Sequence, residues 1–244
     1  KIYSYLIVAH PKTLKCQLEE KYKNNVEYLV SDLTDENSCQ DIFNFATKNE
    51  RHIQVLINNA GAGSYGPFLD YTLDDHLKTI DLNIVSVTKM TYLFMEHMLS
   101  HKLDSYITNI ASIAAYLAVP KFGVYSGTKK YVRDLTETLA FEFKDTNVHV
   151  CCVSPGGTYT EFMDSAGQVL KKAAHAGMMS AEDVVKEGVR SMFNKSPSVV
   201  TGFMNKMMTI MPRLLSSKIS LKINNFAYSK SVGYKKPEIE APKQ

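Results

Sequence analysis

The sequence predicts an α/β protein built on a doubly wound parallel sheet with helices on both faces. Short apolar runs alternate with longer helix-like stretches along most of the 244 residues. The runs are almost continuously apolar, which is typical of strands that are buried on both faces. Small or polar residues follow several of these runs directly, at the sheet edge where ligands bind in such folds.

The predicted elements follow one another in a regular order. The strands are expected at residues 3–10, 26–33, 53–61, 105–112 and 148–157. One helix is expected between the first strand and Asn25. Three further helices are expected over 37–49, 72–101 and 125–143. Thr72 and Asp75 are spaced as a capping box at the start of the long helix. Strands that alternate with helices in this way indicate βαβ units.

Length and composition exclude several classes of protein. The chain is 45% hydrophobic and 22% charged, which indicates a globular fold. A net charge of +3 is too small to indicate a nucleic-acid partner. No apolar run reaches the roughly 18–20 residues of a membrane-spanning helix. We expect one domain over 1–235 and a polar tail over 236–244.

The cysteines and histidines show no pattern of a metal site. Cys16, Cys39, Cys151 and Cys152 form no C-x-x-C pair. We expect them to be buried, reduced thiols in a reducing compartment, and therefore a cytoplasmic protein. The seven histidines have no metal-ligand spacing, so no metal is expected.

Tyr125 and Lys129 stand four residues apart at the start of a predicted helix, in "YSGTK". Residues four apart lie on one face of a helix. An ammonium beside a phenol favours the phenolate and lowers its pKa from about 10. Such a phenol can exchange protons near neutral pH. By spacing alone, a surface tyrosine beside a surface lysine is the commoner arrangement.

Other motifs stand at fixed places around this pair. Ser112 ends the fourth predicted strand, and Asn83 lies within the long helix. The motifs are "NNAG" (58–61), "LNIVS" (82–86), "NIASIAAY" (109–116), "YSGTK" (125–129) and "SPGGTYTEF" (154–162). With this combination the sequence strongly resembles the short-chain dehydrogenase/reductase family.

The resemblance implies a Rossmann-type fold and an NAD(P)-dependent oxidoreductase that acts on CH–OH or C=O groups. Tyr125 would be the acid/base, and Lys129 would lower its pKa and bind the nicotinamide ribose. Ser112 would hydrogen-bond the substrate oxygen. Asn83 would hold a water that connects Lys129 to solvent. The alternative for Asn83 is a side chain that is simply satisfied in the core.

The resemblance also implies the cofactor contacts. These are Asp32 and Leu33 near the adenine, Asn59, Ala60 and Gly61 beside its ribose, Tyr125 and Lys129 at the nicotinamide, and Pro155, Gly156, Thr158 and Thr160 in the loop around the nicotinamide and pyrophosphate. For Asn59, a purely structural role is the alternative.

The cofactor is expected to be NADP rather than NAD. The family's second strand corresponds to "LIVAHPKTL", which carries no acidic residue to repel a 2′-phosphate. His10 and Lys12 stand where NADP-using members often carry Arg, and the charge of His10 depends on pH.

Residues 203 to 215 form a methionine-rich apolar surface. Its apolar members are Phe203, Met204, Met207, Met208, Ile210, Met211, Leu214 and Leu215. A lid over a lipophilic substrate, a dimer contact, a peripheral membrane contact and plain core packing are the alternatives.

The expected function is a carbonyl reductase or alcohol dehydrogenase that acts on a small, lipophilic substrate. No nucleic-acid partner is expected, and the protein is expected to form a dimer or tetramer. A nucleotide-sugar epimerase, which also uses Y-x-x-x-K, is disfavoured by the NNAG motif. A non-catalytic or truncated protein with a binding role is the alternative from another class.

That alternative arises from the amino end of the chain. The family begins with a strand and a Gly-rich turn, T-G-x-x-x-G-x-G, which binds the pyrophosphate. No such motif occurs in this sequence. In the doubly wound order that strand lies in the middle of the sheet. We therefore expect about 25–30 further residues upstream, a length set by one strand–turn–helix unit.

Overall fold

The computed structural model describes residues 3–6, 11–22, 25–210 and 215–237. The strands are β1 (Tyr3–Leu6), β2 (Asn25–Tyr28), β3 (Val55–Asn58), β4 (Ser105–Ile110), β5 (Val148–Ser154), β6 (Gln168–Leu170), β7 (Ser198–Val200) and β8 (Val232–Tyr234). The α-helices are α1 (Pro11–Tyr22), α2 (Ser38–Thr47), α3 (Leu73–Ile80), α4 (Ser86–His101), α5 (Gly123–Glu142), α6 (Phe162–Ser165), α7 (Ala181–Phe193), α8 (Phe203–Ile210) and α9 (Ser217–Ser231). The predicted tail from 236 lies almost wholly outside the described residues.

The strands form a parallel sheet, as the alternation of strands and helices predicts. Its order is β3-β4-β5-β7, and every pairing in it is parallel. β1 and β2 form a separate parallel pair, and β6 and β8 an antiparallel one. The five predicted strands are all present. β2, β3, β4 and β5 are shorter than predicted, and residues 7–10 of the first predicted strand lie outside the described residues. The short strands β6, β7 and β8 had no signal in the sequence.

Helices cover both faces of this sheet. Cys152 and Val153 are neighbours in β5, so their side chains point to opposite faces. Cys152 packs with Val132 of α5 and Val87 of α4. On the other face, a Cβ added at Gly188 of α7 would lie 3.4 Å from the Val153 side chain. The predicted α/β architecture is therefore confirmed.

The main core lies between the sheet and helices α2 and α4. Met98 of α4 and Ile107 of β4 are fully buried in it. Phe43 and Phe94 meet edge to face with ring centroids 5.3 Å apart. Burying side chains of this size contributes about 1.5–3 kcal/mol each to the free energy of unfolding.

β3 is the edge of the four-stranded sheet. It pairs with β4, and the described residues place no strand against its other side. Its side chains Val55 and Ile57 are 41% and 51% exposed. Leu56, on the opposite face of β3, is buried, so this edge strand is covered more fully on one face than on the other. The further strand expected upstream stays a prediction.

The long helix predicted over 72–101 is one helical segment with a change of pitch. Its capping box is confirmed, since Thr72 N–H donates to Asp75 Oδ2 (2.9 Å) and Asp75 N–H to Thr72 Oγ1 (3.2 Å). A π-helical turn at Asp81–Val85 joins α3 to α4. Such turns are frequent at functional sites, and this one carries Asn83.

Three of the four cysteines are buried, as expected: Cys39, Cys151 and Cys152. The prediction is wrong for Cys16, whose thiol is exposed on the Lys- and Glu-rich helix α1. Within the described ranges, no group of His, Cys, Asp or Glu side chains is arranged to hold a metal ion. No helix in that part of the chain is long and apolar enough to cross a bilayer.

Candidate active site

A cavity of about 1310 Å³ opens at the carboxyl ends of β3, β4 and β5. Its wall includes the predicted residues Asn59, Ala60, Gly61, Ser112, Tyr125, Lys129, Pro155, Gly156, Thr158 and Thr160. Pockets for one drug-sized ligand occupy about 300–1,000 Å³. The cavity therefore has room for two ligands side by side.

Ser112 follows the last residues of β4 and begins a short 3₁₀ turn. Its Oγ accepts a hydrogen bond from the Ala114 N–H at 3.1 Å. The next N–H, of Ile113, donates to the Pro155 carbonyl at 2.8 Å. This bond ties the loop after β4 to the loop after β5, so the Ser112 hydroxyl is held on the cavity wall.

Tyr125 lies in the first turn of α5 and is buried. Its ring stacks on Phe122 with centroids 4.3 Å apart. A Cβ at Gly63 would lie 2.6 Å from Tyr125 Cδ2, so only glycine permits this approach. Burial raises the pKa of Tyr125 to about 12, and a hydrogen bond with the Ser112 side chain acts in the opposite direction.

Lys129 lies one helical turn after Tyr125 and is buried as well. Its Nζ donates to the Ile110 carbonyl at 2.8 Å and stands 5.8 Å from the centroid of the Tyr125 ring. Burial lowers the pKa of Lys129 to about 8, because a charged ammonium is poorly solvated there. Its proton is therefore far more labile than that of an exposed lysine.

The structure reverses the expected shift of the Tyr125 pKa. The spacing predicted that the Lys129 ammonium lowers it, whereas burial raises it. Desolvation disfavours the phenolate, and the Lys129 ammonium is directed at the Ile110 carbonyl. Near neutral pH Tyr125 is therefore a protonated phenol, which can donate its proton.

Asn83 is 0% exposed and hydrogen-bonded on both sides of its amide. Its Oδ1 accepts from the Ala62 N–H (2.9 Å), and its Nδ2 donates to the Ala62 carbonyl (2.7 Å) and to Thr128 Oγ1 (2.9 Å). These contacts support the alternative of a core-satisfied side chain. A Cβ at Gly61 would lie 3.1 Å from Lys129 Nζ and 3.2 Å from Asn83 Oδ1, so the two side chains meet there.

The side chain of Asn205 packs closely against the loop after β5. A Cβ at Gly156 would clash with the amide of Asn205, which is buried and donates to the Thr201 carbonyl at 2.8 Å. At Gly157 a Cβ would lie 3.2 Å from Met178 Cγ, in a flexible side chain. An added methyl group would therefore be accommodated more easily at Gly157, where a flexible side chain can move, than at Gly156, where it meets a buried amide.

We expect Gly156→Ala to lower the free energy of unfolding by about 1–3 kcal/mol, the usual cost of overpacking. The added methyl group must displace the Asn205 amide and break its bond to Thr201. Urea unfolding of the variant measures the effect, with Gly157→Ala as the matched control. Equal stability of the two variants would contradict this interpretation of the loop.

The predicted adenine-end residues are not on the cavity wall. Asp32 is exposed, and its Oδ1 accepts from the Thr34 N–H (2.9 Å) and Thr34 Oγ1 (2.8 Å). Leu33 packs against the main core. His10 lies outside the described residues. Lys12 belongs to α1, and its side chain lies outside the description too.

Sequence reasoning missed a polar network behind the wall. Asn58 Nδ2 donates to Asn109 Oδ1 (2.8 Å), and Asn109 Nδ2 donates to Thr136 Oγ1 (3.0 Å). The network connects β3, β4 and α5. An asparagine inside an apolar strand was the available signal, because buried amides require partners. Gln168 and Tyr228, which also line the cavity, had no comparable signal.

The residues present fit a nicotinamide dinucleotide. On the wall, Ala60 carries only a methyl group and Gly61 and Gly156 carry no side chain, so a ligand can approach their backbone closely. The Lys129 ammonium and the hydroxyls of Thr158 and Thr160 lie on the same wall as hydrogen-bond donors.

Comparison with known proteins agrees with the motifs. The family described as short chain dehydrogenase matches residues 6–171. A probable short-chain type dehydrogenase/reductase, VdlC, of Helicobacter pylori is 31% identical over 125 residues, which are 51% of this chain and 46% of that protein. The 3beta-hydroxysteroid dehydrogenase 1 of Eggerthella lenta is 27% identical over 186 residues, 72% of this chain and 71% of that protein. The chain spans about half the length of the first curated relatives it matches.

Solved structures share the architecture. A short-chain dehydrogenase from Sphingobium yanoikuyae, in complex with NADPH, superposes with a TM-score of 0.75 at 20% identity. The superposition covers 88% of this chain and 87% of that one. A likeness at this identity shows the fold.

Proposed function

The chain belongs to the short-chain dehydrogenase family, and on this premise we propose that it is an NADP-dependent oxidoreductase acting on a lipophilic ketone or alcohol. The observation that carries the proposal is the placement of Ser112, Tyr125 and Lys129 on one wall of a cavity with room for two ligands. Around Tyr125 the cavity is lined by apolar and aromatic side chains, among them Leu117, Val119, Phe122, Phe162 and Leu170.

The hydroxyls of Ser112 and Tyr125 together hold the substrate oxygen, because both residues lie on the cavity wall and the Ser112 side chain is close enough to lower the pKa of the Tyr125 phenol. When bound, nicotinamide supplies the hydride. Tyr125 keeps its proton near neutral pH and donates it as negative charge develops on that oxygen. The Lys129 ammonium then stabilises the phenolate, and its own lowered pKa permits proton exchange with solvent.

The preference for NADP over NAD is supported by the sequence "LIVAHPKTL", in which no acidic side chain would repel a 2′-phosphate. We expect NADPH to bind more tightly than NADH in parallel fluorescence titrations. His10→Asp should weaken NADPH binding, because it introduces an anion into a segment whose lack of acidic residues favours a 2′-phosphate. Equal or tighter binding of NADH by the unaltered protein would contradict the preference.

The oxidoreductase activity is tested by loss of NADPH absorbance in the presence of apolar aliphatic and alicyclic ketones. We expect turnover with at least one of them. A protein that binds neither cofactor and reduces none of the ketones would instead support the non-catalytic alternative.

The apolar side chains of α8 support a contact of this protein with a membrane surface or with a second copy of the chain. Phe203, Met204 and Met207 are exposed, which contradicts core packing for these side chains. Met208 is exposed too and reaches the cavity wall. Residues 211–214 lie outside the described chain. A peripheral membrane contact through 203–215 and assembly into a homo-oligomer both stay predictions.

A further inference from the structure

We propose that Gln168 is a specificity-determining residue that binds a neutral hydroxyl group of the substrate, away from the reacting carbonyl. The substrate class is then a lipophilic hydroxy ketone, or the corresponding diol in the reverse direction. This inference rests on the proposed function, because it assigns a second contact to the substrate of the same cavity.

The backbone directs the Gln168 side chain into the cavity. Gln168 opens β6, where it pairs with Tyr234 of the antiparallel strand β8. Side chains alternate along a strand, and the next one, Val169, is exposed. Gln168 itself is 4% exposed and belongs to the cavity wall.

The amide of Gln168 is unpaired within the part of the chain that the structure describes. Neither its Nε2 nor its Oε1 has a hydrogen-bond partner there. Buried amides are nearly always satisfied, because an unpaired one destabilises the folded state. A ligand hydroxyl both donates and accepts, so it can bond to either atom of this amide.

Tyr228 connects Gln168 to the catalytic end of the cavity. Burial raises the pKa of Tyr228, and the neighbouring Gln168 amide acts in the opposite direction, although the two side chains do not meet the geometry of a hydrogen bond. Tyr125 also acts on it electrostatically, so Tyr228 lies near both residues. One ligand can therefore reach from the Tyr125 hydroxyl to the Gln168 amide within a single chamber.

The surroundings of the amide favour a neutral group on an apolar body. Phe162, Leu170 and Val232 belong to the same apolar cluster and carry no charge. The charged side chains on the described cavity wall are Lys129, which serves the reacting end, and Glu161, which is exposed. A carboxylate or ammonium beside Gln168 would be desolvated without a partner. A neutral hydroxyl group can bind there without the free-energy cost of desolvating a charge.

The test uses methyl ketones with linear chains of increasing length, each made with and without a terminal hydroxyl. We measure kcat/KM with NADPH, and Kd by calorimetry on the protein saturated with NADP⁺. At the chain length that spans the chamber, the hydroxyl should improve both values by about tenfold to a hundredfold, as expected for a buried amide that gains its partner.

Gln168→Met keeps the length of the side chain and removes both polar atoms. We expect the preference for the hydroxyl to fall to nearly one, and the thermal midpoint to stay equal or rise because an unpaired amide is removed. Gln40→Met is the matched control, since Gln40 is exposed on α2 and away from the cavity. It should keep the full preference. The comparison of ketones on the unaltered protein tests the proposal even if Gln168→Met fails to fold.

The outcomes separate this inference from the proposed function. Turnover of ketones without any preference for the hydroxyl, at every chain length, overturns the role of Gln168 and leaves the oxidoreductase standing. A binding preference that Gln168→Met removes, in a protein that turns over no ketone, supports the role of Gln168 and contradicts the oxidoreductase. A large fall in thermal midpoint with an unchanged preference would show that the amide is structural.

Discussion

Tyr125→Phe should lower kcat by about a hundredfold or more, because acid–base catalysis typically contributes 10²–10⁴-fold. The substitution removes the hydroxyl that donates the proton and leaves the ring stacked on Phe122. NADPH affinity should change little, since Lys129, Gly61 and Gly156 on the cavity wall are unaltered. Single-turnover kinetics with a reactive ketone, together with a cofactor titration, separate these two effects.

Tyr131 provides a matched control on the same helix. Its hydroxyl bonds to Thr88 Oγ1 at 2.9 Å in an exposed position, and it does not line the cavity. Tyr131→Phe should therefore leave kcat unchanged. If Tyr125→Phe keeps more than about a tenth of the original kcat, which is below the usual range for acid–base catalysis, Tyr125 is not the proton donor.

Much of the fold was predictable because its signals are local. The apolar runs of β4 and β5 and the four-residue spacing of Tyr125 and Lys129 depend on strand and helix periodicity alone. The capping box at Thr72 has the same origin. Small residues after the strands located the cavity edge, because parallel strands end at a common edge.

The properties that escaped prediction depend on packing between distant segments. The direction of the Tyr125 pKa shift is set by burial against Phe122 and the neighbouring aromatic side chains, which spacing does not contain. Gln168 is brought to the cavity by pairing of β6 with β8, two strands of three residues each. Strands this short lack enough residues to establish a period.

The contacts of Asn83 favour one of two local interpretations of this residue. A polar residue in a helix could serve either a proton relay or the core, and the sequence left both open. The π-helical turn rotates Asn83 inward, where its amide bridges the Ala62 backbone and Thr128. This bridge holds the loop after β3 against α5, the two elements that carry Gly61 and Lys129.

Asn83→Ala should therefore lower the free energy of unfolding by about 1–3 kcal/mol, the cost of leaving buried partners such as Thr128 unpaired. Activity should fall with it, because the loop at Gly61 loses its attachment beside Lys129. Urea unfolding and kcat are measured on the same preparation, with Asn44→Ala as control, since Asn44 is exposed on α2 and bonds only locally to Gln40 in the described structure. The control should change neither quantity. A loss of kcat with unchanged stability would instead assign Asn83 to proton relay, because removing a side chain that only positions a water disturbs no other buried contact.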